Sequence, residues 1–340
     1  MLKTFDEVFD DYTKYGTKIK TEQYHTIGSN VIIDQGQSDI AGYTDQTDGL
    51  FTDVPVIIFG DHTRIIKYIN RPFFLGADGT KILKSKIPNA NYKYLYYALK
   101  NAKIPNTGYN RHFKWLKQIS ISYPEYQKQS MIVEILDKLE DSIDNYNTIL
   151  GLLDKLVKAR FIEMFGDPKD NQLCWKKYIF KDVCTVRQGL QISISKRLKL
   201  HEDNSYEYIT IQSLHGAKEK EYIKNPSSNV LCTKDDILMT RTGNTGMVIT
   251  DVEGVFHNNF FLIDFDRIKF NKIFLSEYLK LDYIQAEILR RAGTSTIPDL
   301  NHGEFYKIPI YEPPIELQQQ FADFVRHVDK SKYDDMYIRY

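Results

Sequence analysis

Residues 119–140 read ISISYPEYQKQSMIVEILDKLE, and residues 308–329 read IPIYEPPIELQQQFADFVRHVD. Each is a short hydrophobic run with strand character, a proline break, a Gln-bearing turn and then an apolar helix. The offset is 308 − 119 = 189 residues. Solenoid units run to roughly 20–50 residues, so this is no solenoid. It is the length of a domain with one long helix attached. The sequence therefore implies a duplicated domain, and a pseudo-twofold molecule able to read a target made of two separated halves.

The first copy of the helix is the clearest element. Over residues 127–165, Ile132, Leu136, Leu139, Ile143, Tyr146, Leu150, Leu153 and Val157 follow 4-3-4-3-4-3-4 spacing with no internal proline. That is a heptad seam. At 1.5 Å per residue the helix is roughly 55–60 Å long. Its apolar side needs cover from another helix, and Gly166-Asp167-Pro168 ends it. The second copy, residues 315–332, carries Phe321, Phe324, Val325 and Val328 on one face. Its pattern stops early, in SKYDDMYIRY.

The regions before the two helices share an outline. In residues 1–120, VIIDQ (31–35) and VPVIIFG (54–60) are strand candidates among glycine turns. NYKYLYYALKNAK (91–103) reads as a helix with Leu95 and Leu99 on one face. TGYNRHFK (107–114) is polar and basic. In residues 170–310, DILMTRTGNTGMVI (236–249) and VFHNNFFLIDF (255–265) read as strands around a Gly/Asn/Thr loop. FLSEYLKLDYIQAEILRR (274–291) reads as one helix, and AGTSTIPDLN (292–301) as a polar turn. IIFGDHTR (57–64) aligns with ILMTRTGN (237–244), and PFFL (72–75) with NFFL (259–262).

Composition sets bounds. The 340 residues suffice for about two domains with real cores. Lys+Arg and Asp+Glu both number 45, for a net charge of +0. A nucleic-acid partner then requires only a local basic face. The 24 Tyr and 19 Phe favour sheet-rich domains and stacking surfaces. Cys174, Cys184 and Cys232 are odd in number and form no CxxC pair, which argues against a disulfide framework or a zinc site. MLKTFDEVFDDY has no apolar core, so we expect no signal peptide. No stretch approaches the roughly 18 apolar residues of a membrane helix. We expect a reduced, cytoplasmic protein.

At this point the residues resemble a family, the specificity subunits of type I restriction-modification systems. The carrying residues are Gly60-Asp61-His62-Thr63-Arg64 with Phe73-Phe74-Leu75-Gly76-Ala77-Asp78-Gly79, and Gly108-Tyr109-Asn110-Arg111-His112-Phe113-Lys114 with Leu116. Pro124, Gln129 and Ile132-Val133 follow, then Phe161-Ile162-Glu163-Met164-Phe165-Gly166-Asp167-Pro168 at the end of the long helix. In the second half they are Asp236-Ile237-Leu238, Pro313-Pro314, Leu317 and Gln320. The resemblance covers residues 1–330 and is carried by the order of these segments, repeated.

It implies an α/β (α+β) fold: two duplicated target-recognition domains separated by long antiparallel coiled-coil helices that act as a ruler. The expected boundaries are 1–124 and 167–312 for the domains, 125–166 for the first spacer helix and 313–340 for the second. It also implies a subunit without catalysis or a cofactor of its own. Two modification subunits would bind S-adenosylmethionine and methylate adenine. Restriction subunits would hydrolyse ATP with Mg, translocate and cut. Double-stranded DNA with a split target would be the ligand, with no membrane. The seam residues named above would form the spacer and the partner-docking surface. The second helix should match the first in length, so its early stop suggests a truncated or phase-varied form, the missing part packing against residues 146–165.

The residues agree with a non-catalytic reading without the family. The nearest string to a base-holding methyltransferase loop is Glu312-Pro313-Pro314-Ile315, which has no aromatic and no amide, and reads as a helix-entry break. No GxGxxG or P-loop is present. Pro298-Asp299 followed by Glu304-Phe305-Tyr306-Lys307 has one residue too many for a PD…ExK nuclease, which turns the lysine to the wrong face. No histidine pair has metal spacing. His62 and His112 read as structural or DNA-facing. For DNA contact, Arg and Lys suit guanine, Asn and Gln suit adenine, and hydroxyls suit phosphate. The first domain offers His62, Thr63, Arg64, Lys67, Asn110, Arg111, His112 and Lys114. The second offers Arg241, Thr242, Asn244, Thr245, Thr294, Ser295 and Asn301. Each segment also fits a solvated turn or a structural arginine, and Gly243 and Gly246 read as turn formers. The rival functions are a stand-alone DNA methyltransferase or nuclease, and a coiled-coil assembly scaffold.

Overall fold

The structure, a computed structural model, describes every residue except 77, 109, 215, 217, 218, 294–297 and 338–340, and only the backbone of 332–337. It divides into two units, Met1–Tyr146 and Asn147–Tyr340.

In the first unit an antiparallel sheet has the strand order Phe9–Asp11, Thr80–Ser85, Val56–Gly60, Ile66–Ile69. Val56–Gly60 is buried along its whole length, which suits the unbroken apolar run VIIFG. A second sheet orders Gly42–Thr44, Asn30–Ile33 and Phe73–Leu75, its last pair parallel. Helix Tyr92–Lys100 starts where the Asn91 side chain accepts from the Tyr94 N–H at 3.0 Å, and it buries Leu95 and Leu99 as their spacing predicts. A four-residue helix, Phe113–Leu116, precedes the strand Ser120–Ser122, which pairs with Leu2–Thr4.

The second unit repeats this plan. Its sheets order Cys184–Gln188, Phe260–Phe265, Ile237–Thr240, Val248–Ile249 and Tyr222–Lys224, Ser205–Ile209, Gly254–Phe256, Leu231–Cys232. The register is conserved between the repeats. Ile57 faces Leu83 and Gly60 faces Thr80; 180 residues on (237 − 57), Ile237 faces Ile263 and Thr240 faces Phe260. The 57–64 and 237–244 segments are therefore true counterparts. The pairing of PFFL with NFFL is corrected. Phe73–Leu75 lies parallel to Asn30–Ile33, and its counterpart is Gly254–Phe256 beside Ser205–Ile209. Asn259 instead leads into Phe260–Phe265, the counterpart of Thr80–Ser85. Two aromatic strands of similar composition lie close together in sequence, and only pairing partners tell them apart. Residues 274–291 are also not one helix. Helices Lys272–Leu279 and Asp282–Ala292 are separated where Leu281 turns extended (φ −64, ψ 141) to bury its side chain.

The long helix runs Tyr126–Phe165 without interruption, and the second spans Ile315–Tyr337. Both begin with a buried glutamine closing the proline break. Gln129 Nε2 donates to the Pro124 carbonyl at 2.8 Å, and Gln318 Nε2 to the Pro313 carbonyl at 2.8 Å. Within the second unit the two helices pack antiparallel. Phe165 meets Phe321, while Asp154 and Val157 lie beside Val325 and Asp329. Leu153, Val157, Phe324 and Val328 join this core. Ile132 joins the first unit's core. Leu136, Tyr146 and Leu150 are half-buried, but Leu139 and Ile143 stay 53% and 58% exposed. The sequence expected residues 146–165 to lack cover. The second helix covers residues 153–165, and the exposed part of the seam lies before them, because the antiparallel pairing starts at Phe165 with the second helix's first turns.

The first unit grips the long helix through polar groups. Lys93 reaches Asp137 at 2.6 Å, Tyr97 donates to Asp137 at 2.6 Å and to Glu140 at 2.9 Å, and Lys100 reaches Glu140 at 2.6 Å. Burial alone would raise both carboxyl pKa values, but these hydrogen bonds outweigh it and hold both lowered. A depressed carboxyl pKa adds stability that is complete above the ordinary values, 3.8 for Asp and 4.5 for Glu, and is lost as pH falls through the folded-state pKa. Hydrogen exchange at helix Tyr92–Lys100 is therefore expected to accelerate on acidification below about pH 4. In Asp137→Asn/Glu140→Gln that acid step flattens. A step of unchanged size in the double variant would assign it to other groups.

Candidate nucleic-acid interface

In each repeat the chain leaves the end of the central strand into a loop, and that loop is fastened to the segment before the short helix. In the first unit the Asp61 N–H donates to the Gly79 carbonyl at 2.7 Å. In the second the Arg241 N–H donates to the Asn259 carbonyl at 2.7 Å, again 180 residues on (241 − 61). The Asp61 carbonyl accepts from the His112 N–H at 2.7 Å, and the Arg241 carbonyl from the Leu300 N–H at 2.8 Å. So 61–64 lies beside 110–113, and 241–246 beside 298–301. These are the loop pairs that the sequence nominated from opposite ends of each domain.

Individual residues divide into surface groups and struts. Arg111, Lys114, Asn110 and Thr63 are exposed, and His62 and Arg64 are half-buried. Thr63 donates its hydroxyl to the Gln35 carbonyl at 2.7 Å. Asn110 donates its amide to the Thr107 carbonyl. Arg64 closes the loop at φ 61, a conformation uncommon outside glycine, and its guanidinium donates to the Ile104 carbonyl at 3.2 Å. Two expected DNA-facing residues lie inside. His112 is 0% exposed, its Nδ1 within 3.0 Å of the Asp61 carbonyl. Lys67 is 4% exposed and donates to the Ser38 carbonyl at 2.6 Å; burial, against the pull of Asp34 and Asp39, lowers its pKa. Both side chains are buried and hold hydrogen bonds within the fold.

In the second unit Thr242 is half-buried and Asn244 exposed. Thr245, also a DNA-contact candidate, is buried and donates to the Pro298 carbonyl at 2.8 Å. Asn301 is exposed, yet its Oδ1 accepts from the Glu304 N–H at 2.9 Å and caps helix His302–Phe305. Gly243 and Gly246 take φ of 83° and 91°, which confirms them as turn formers. Thr294 and Ser295 lie outside the described residues. Burial, then the nearby charge of Arg241, lowers the pKa of His302; burial, then Arg197, lowers that of His257.

Three struts were not foreseen. Gln35 Nε2 donates to the Asp78 carbonyl at 2.8 Å, and its Oε1 accepts from the His62 N–H at 3.0 Å. Asp61 Oδ1 accepts from the Phe113 N–H at 2.7 Å. Asp299 receives the Arg241 guanidinium, Nε to Oδ1 at 3.0 Å and Nη2 to Oδ2 at 2.8 Å. Gln35 sat in VIIDQ and Asp61 in GDHTR, but their partners are distant in sequence. Among the described residues no His/Cys/Asp/Glu group could hold a metal, and no helix is long and apolar enough to cross a membrane.

A chain with two copies of one sheet-and-helix domain, each presenting a fastened polar loop pair, and with a long helix running from the first into the second, can be compared with known proteins. The type I restriction modification DNA specificity domain matches residues 3–154 and again 173–334, and the chain belongs to that family. Over 94 residues the chain is 32% identical to the type I restriction enzyme EcoR124I/EcoR124II specificity subunit of Escherichia coli, an alignment covering 27% of this chain and 23% of that relative. The crystal structure of the type I restriction-modification S subunit from M. genitalium superposes with a TM-score of 0.58 at 18% identity, covering 98% of this chain and 90% of that one. The HsdS subunit from Thermoanaerobacter tengcongensis aligns over 100% of this chain and 91% of that one, at 13% identity and a TM-score of 0.41.

Proposed function

We propose that the chain reads a split target in double-stranded DNA, each unit taking one half, and directs partner subunits to it. The observation that carries this reading is the duplicated loop pair: one sheet end, one fastening, used twice in one chain. Exposed Asn110, Arg111 and Lys114 in the first unit, and Asn244 in the second, have the donors that base edges and phosphates accept. The long helix then acts as spacer and, with its exposed Leu139 and Ile143, as docking surface for two modification subunits. Those subunits carry S-adenosylmethionine and methylate adenine; restriction subunits supply ATP-driven translocation and Mg-dependent cleavage. The chain itself holds no cofactor and works in the cytoplasm.

Mapping genomic methylation in cells that carry this chain with its modification subunit tests the proposal. The expected result is methyladenine within a motif of two short specified halves and a fixed unspecified gap. Removing one heptad between 132 and 157 shortens the helix by about 10 Å, and the gap is expected to shrink by about three base pairs, at 3.4 Å each. A continuous motif, or a gap unchanged by the deletion, overturns the reading. Labelled S-adenosylmethionine, or Mg and DNA, given to the purified chain alone should yield neither methylation nor cutting. Turnover there would favour the stand-alone enzyme.

A further inference from the structure

We infer that Arg241 reads a guanine, with Asp299 as the residue that aims it. The inference rests on the proposed DNA-reading role of the second unit and names one base contact within it. A guanidinium offers two donor edges, one formed by Nε and Nη2 and the other by Nη1 and Nη2. The Asp299 carboxylate takes the first, Nε to Oδ1 at 3.0 Å and Nη2 to Oδ2 at 2.8 Å. Among the described residues Nη1 has no acceptor, and it is not buried without a partner, so the second edge opens to solvent. Two parallel N–H groups on that edge match the O6 and N7 acceptors of guanine in the major groove. The two-bond contact with Asp299 fixes the guanidinium plane in advance, so little side-chain freedom remains to be lost on binding. The side chains of Arg241 and Asp299 are 21% and 50% exposed. A pair this open to water adds little stability, which leaves orientation of the arginine as its main effect.

The repeat supplies an independent argument, because the fold does not need this ion pair. At the counterpart position the Asp61 N–H donates to the Gly79 carbonyl and the Asp61 carbonyl accepts from the His112 N–H, both at 2.7 Å. Arg241 makes the same two backbone bonds, to the Asn259 carbonyl at 2.7 Å and from the Leu300 N–H at 2.8 Å. Backbone therefore carries the link between the segments in both copies. The side chains differ. Asp61 is buried and its carboxylate accepts from the Phe113 N–H at 2.7 Å, whereas Arg241 places a charged group in the loop that also carries exposed Asn244. A duplicated reader must differ between its copies wherever its two half-sites differ. A position whose fastening is left to backbone can vary in that way without loss of the fold.

The test uses the full chain in complex with its modification subunit, and duplexes carrying the motif that methylation mapping supplies. Each guanine of the motif, on either strand, is replaced in turn by 7-deazaguanine, which lacks the N7 acceptor. At one guanine the wild-type complex should lose roughly tenfold in affinity. In Arg241→Met, which keeps an unbranched stem without the donors, that loss should vanish while losses at other guanines remain. Asp299→Asn should shrink the loss at that same guanine and at no other. The inference is overturned if every 7-deazaguanine effect survives Arg241→Met, or if Asp299→Asn leaves the effect at full size. It is overturned equally if Arg241→Met abolishes all the effects together or loses DNA altogether, as a loop deprived of its shape would. A motif with no guanine in either half also overturns it. Wild-type chain yielding no split motif would instead sink the DNA-reading proposal itself.

Discussion

Replacing Phe161 with alanine is expected to lower the stability of the second unit by about 3–5 kcal/mol. Phe161 is 1% exposed, and its ring meets those of Phe165, Phe274, Tyr278 and Phe321 at 4.8, 5.3, 6.2 and 5.3 Å. These rings come from three helices: the long helix, Lys272–Leu279 and Ile315–Tyr337. Each neighbour is held by another, since Phe165 also packs on Phe274 and Phe321. The cavity therefore cannot collapse cheaply, which places the cost toward the upper end of the range. The sequence has two tryptophans, Trp115 in the first unit and Trp175 in the second. Trp175 Nε1 donates to the Phe165 carbonyl at 2.9 Å, so its fluorescence reports on this core. In a Trp115→Phe background, denaturant unfolding should show a clear drop in the Trp175 midpoint for Phe161→Ala. Leu139→Ala, at an exposed position of the first unit, should lower the stability read by Trp115 in a Trp175→Phe background by no more than about 0.5 kcal/mol. Similar shifts for both would contradict the placement of the seam.

That contrast also marks how far the heptad pattern could be read. Spacing announces a helix and an apolar stripe, and both are present. It does not say which part of the stripe is covered, because Leu139 and Val157 occupy the same seam and differ only in what comes to meet them. Val157 meets the second helix, whose start is fixed by the proline break and Gln318. Among the described residues Leu139 meets no comparable face. The central strands were legible for a related reason: VIIFG and ILMT are unbroken apolar runs, and burial on both faces leaves little alternative. Helix Phe113–Leu116 was not legible, because four residues carry no periodicity.

The candidate interface was readable as segments and not as residues. Both loop pairs were nominated from polar composition, and the structure brings each pair together. Composition could not separate a strut from a surface group. His112 and Lys67 look like groove readers in a string, yet one supports the Asp61 turn and the other bonds the Ser38 carbonyl. Gln35 and Asp61, plain in the string, hold His62 and Phe113 in place through partners 27 and 52 residues away. Hydrogen bonds at that separation leave no local trace. The glutamine at the helix entries left a trace that was read one residue pair off: Gln320 was singled out in the second half, whereas Gln318 stands at the same distance from its proline as Gln129 and makes the bond.

That glutamine gives the second large effect. Gln318→Leu is expected to destabilise the second unit by more than Gln129→Leu destabilises the first, by at least about 2 kcal/mol. A proline break frees a carbonyl at the end of a strand, and a buried carbonyl needs a donor. Both glutamines supply one, to Pro124 and to Pro313. Gln318 does more. Its Nε2 also donates to the Lys269 carbonyl at 2.9 Å, and its Oε1 accepts from the Asn271 N–H at 2.8 Å. Asn271 in turn caps helix Lys272–Leu279 by accepting from the Ile273 and Phe274 N–H groups. Leucine at 318 thus strands the buried Pro313 carbonyl, at about 1–3 kcal/mol, and leaves the half-buried Lys269 carbonyl and Asn271 N–H without this partner, which loosens the helix on which Phe161 packs. Leucine at 129 strands one carbonyl and removes a buried Oε1 that lacks a hydrogen-bond partner among the described residues, which offsets part of its cost. Trp115 and Trp175 read the two losses separately in single-tryptophan chains. Equal losses would mean that the glutamines act only through their shared proline contact, and that the Lys269 and Asn271 bonds contribute nothing to the fold.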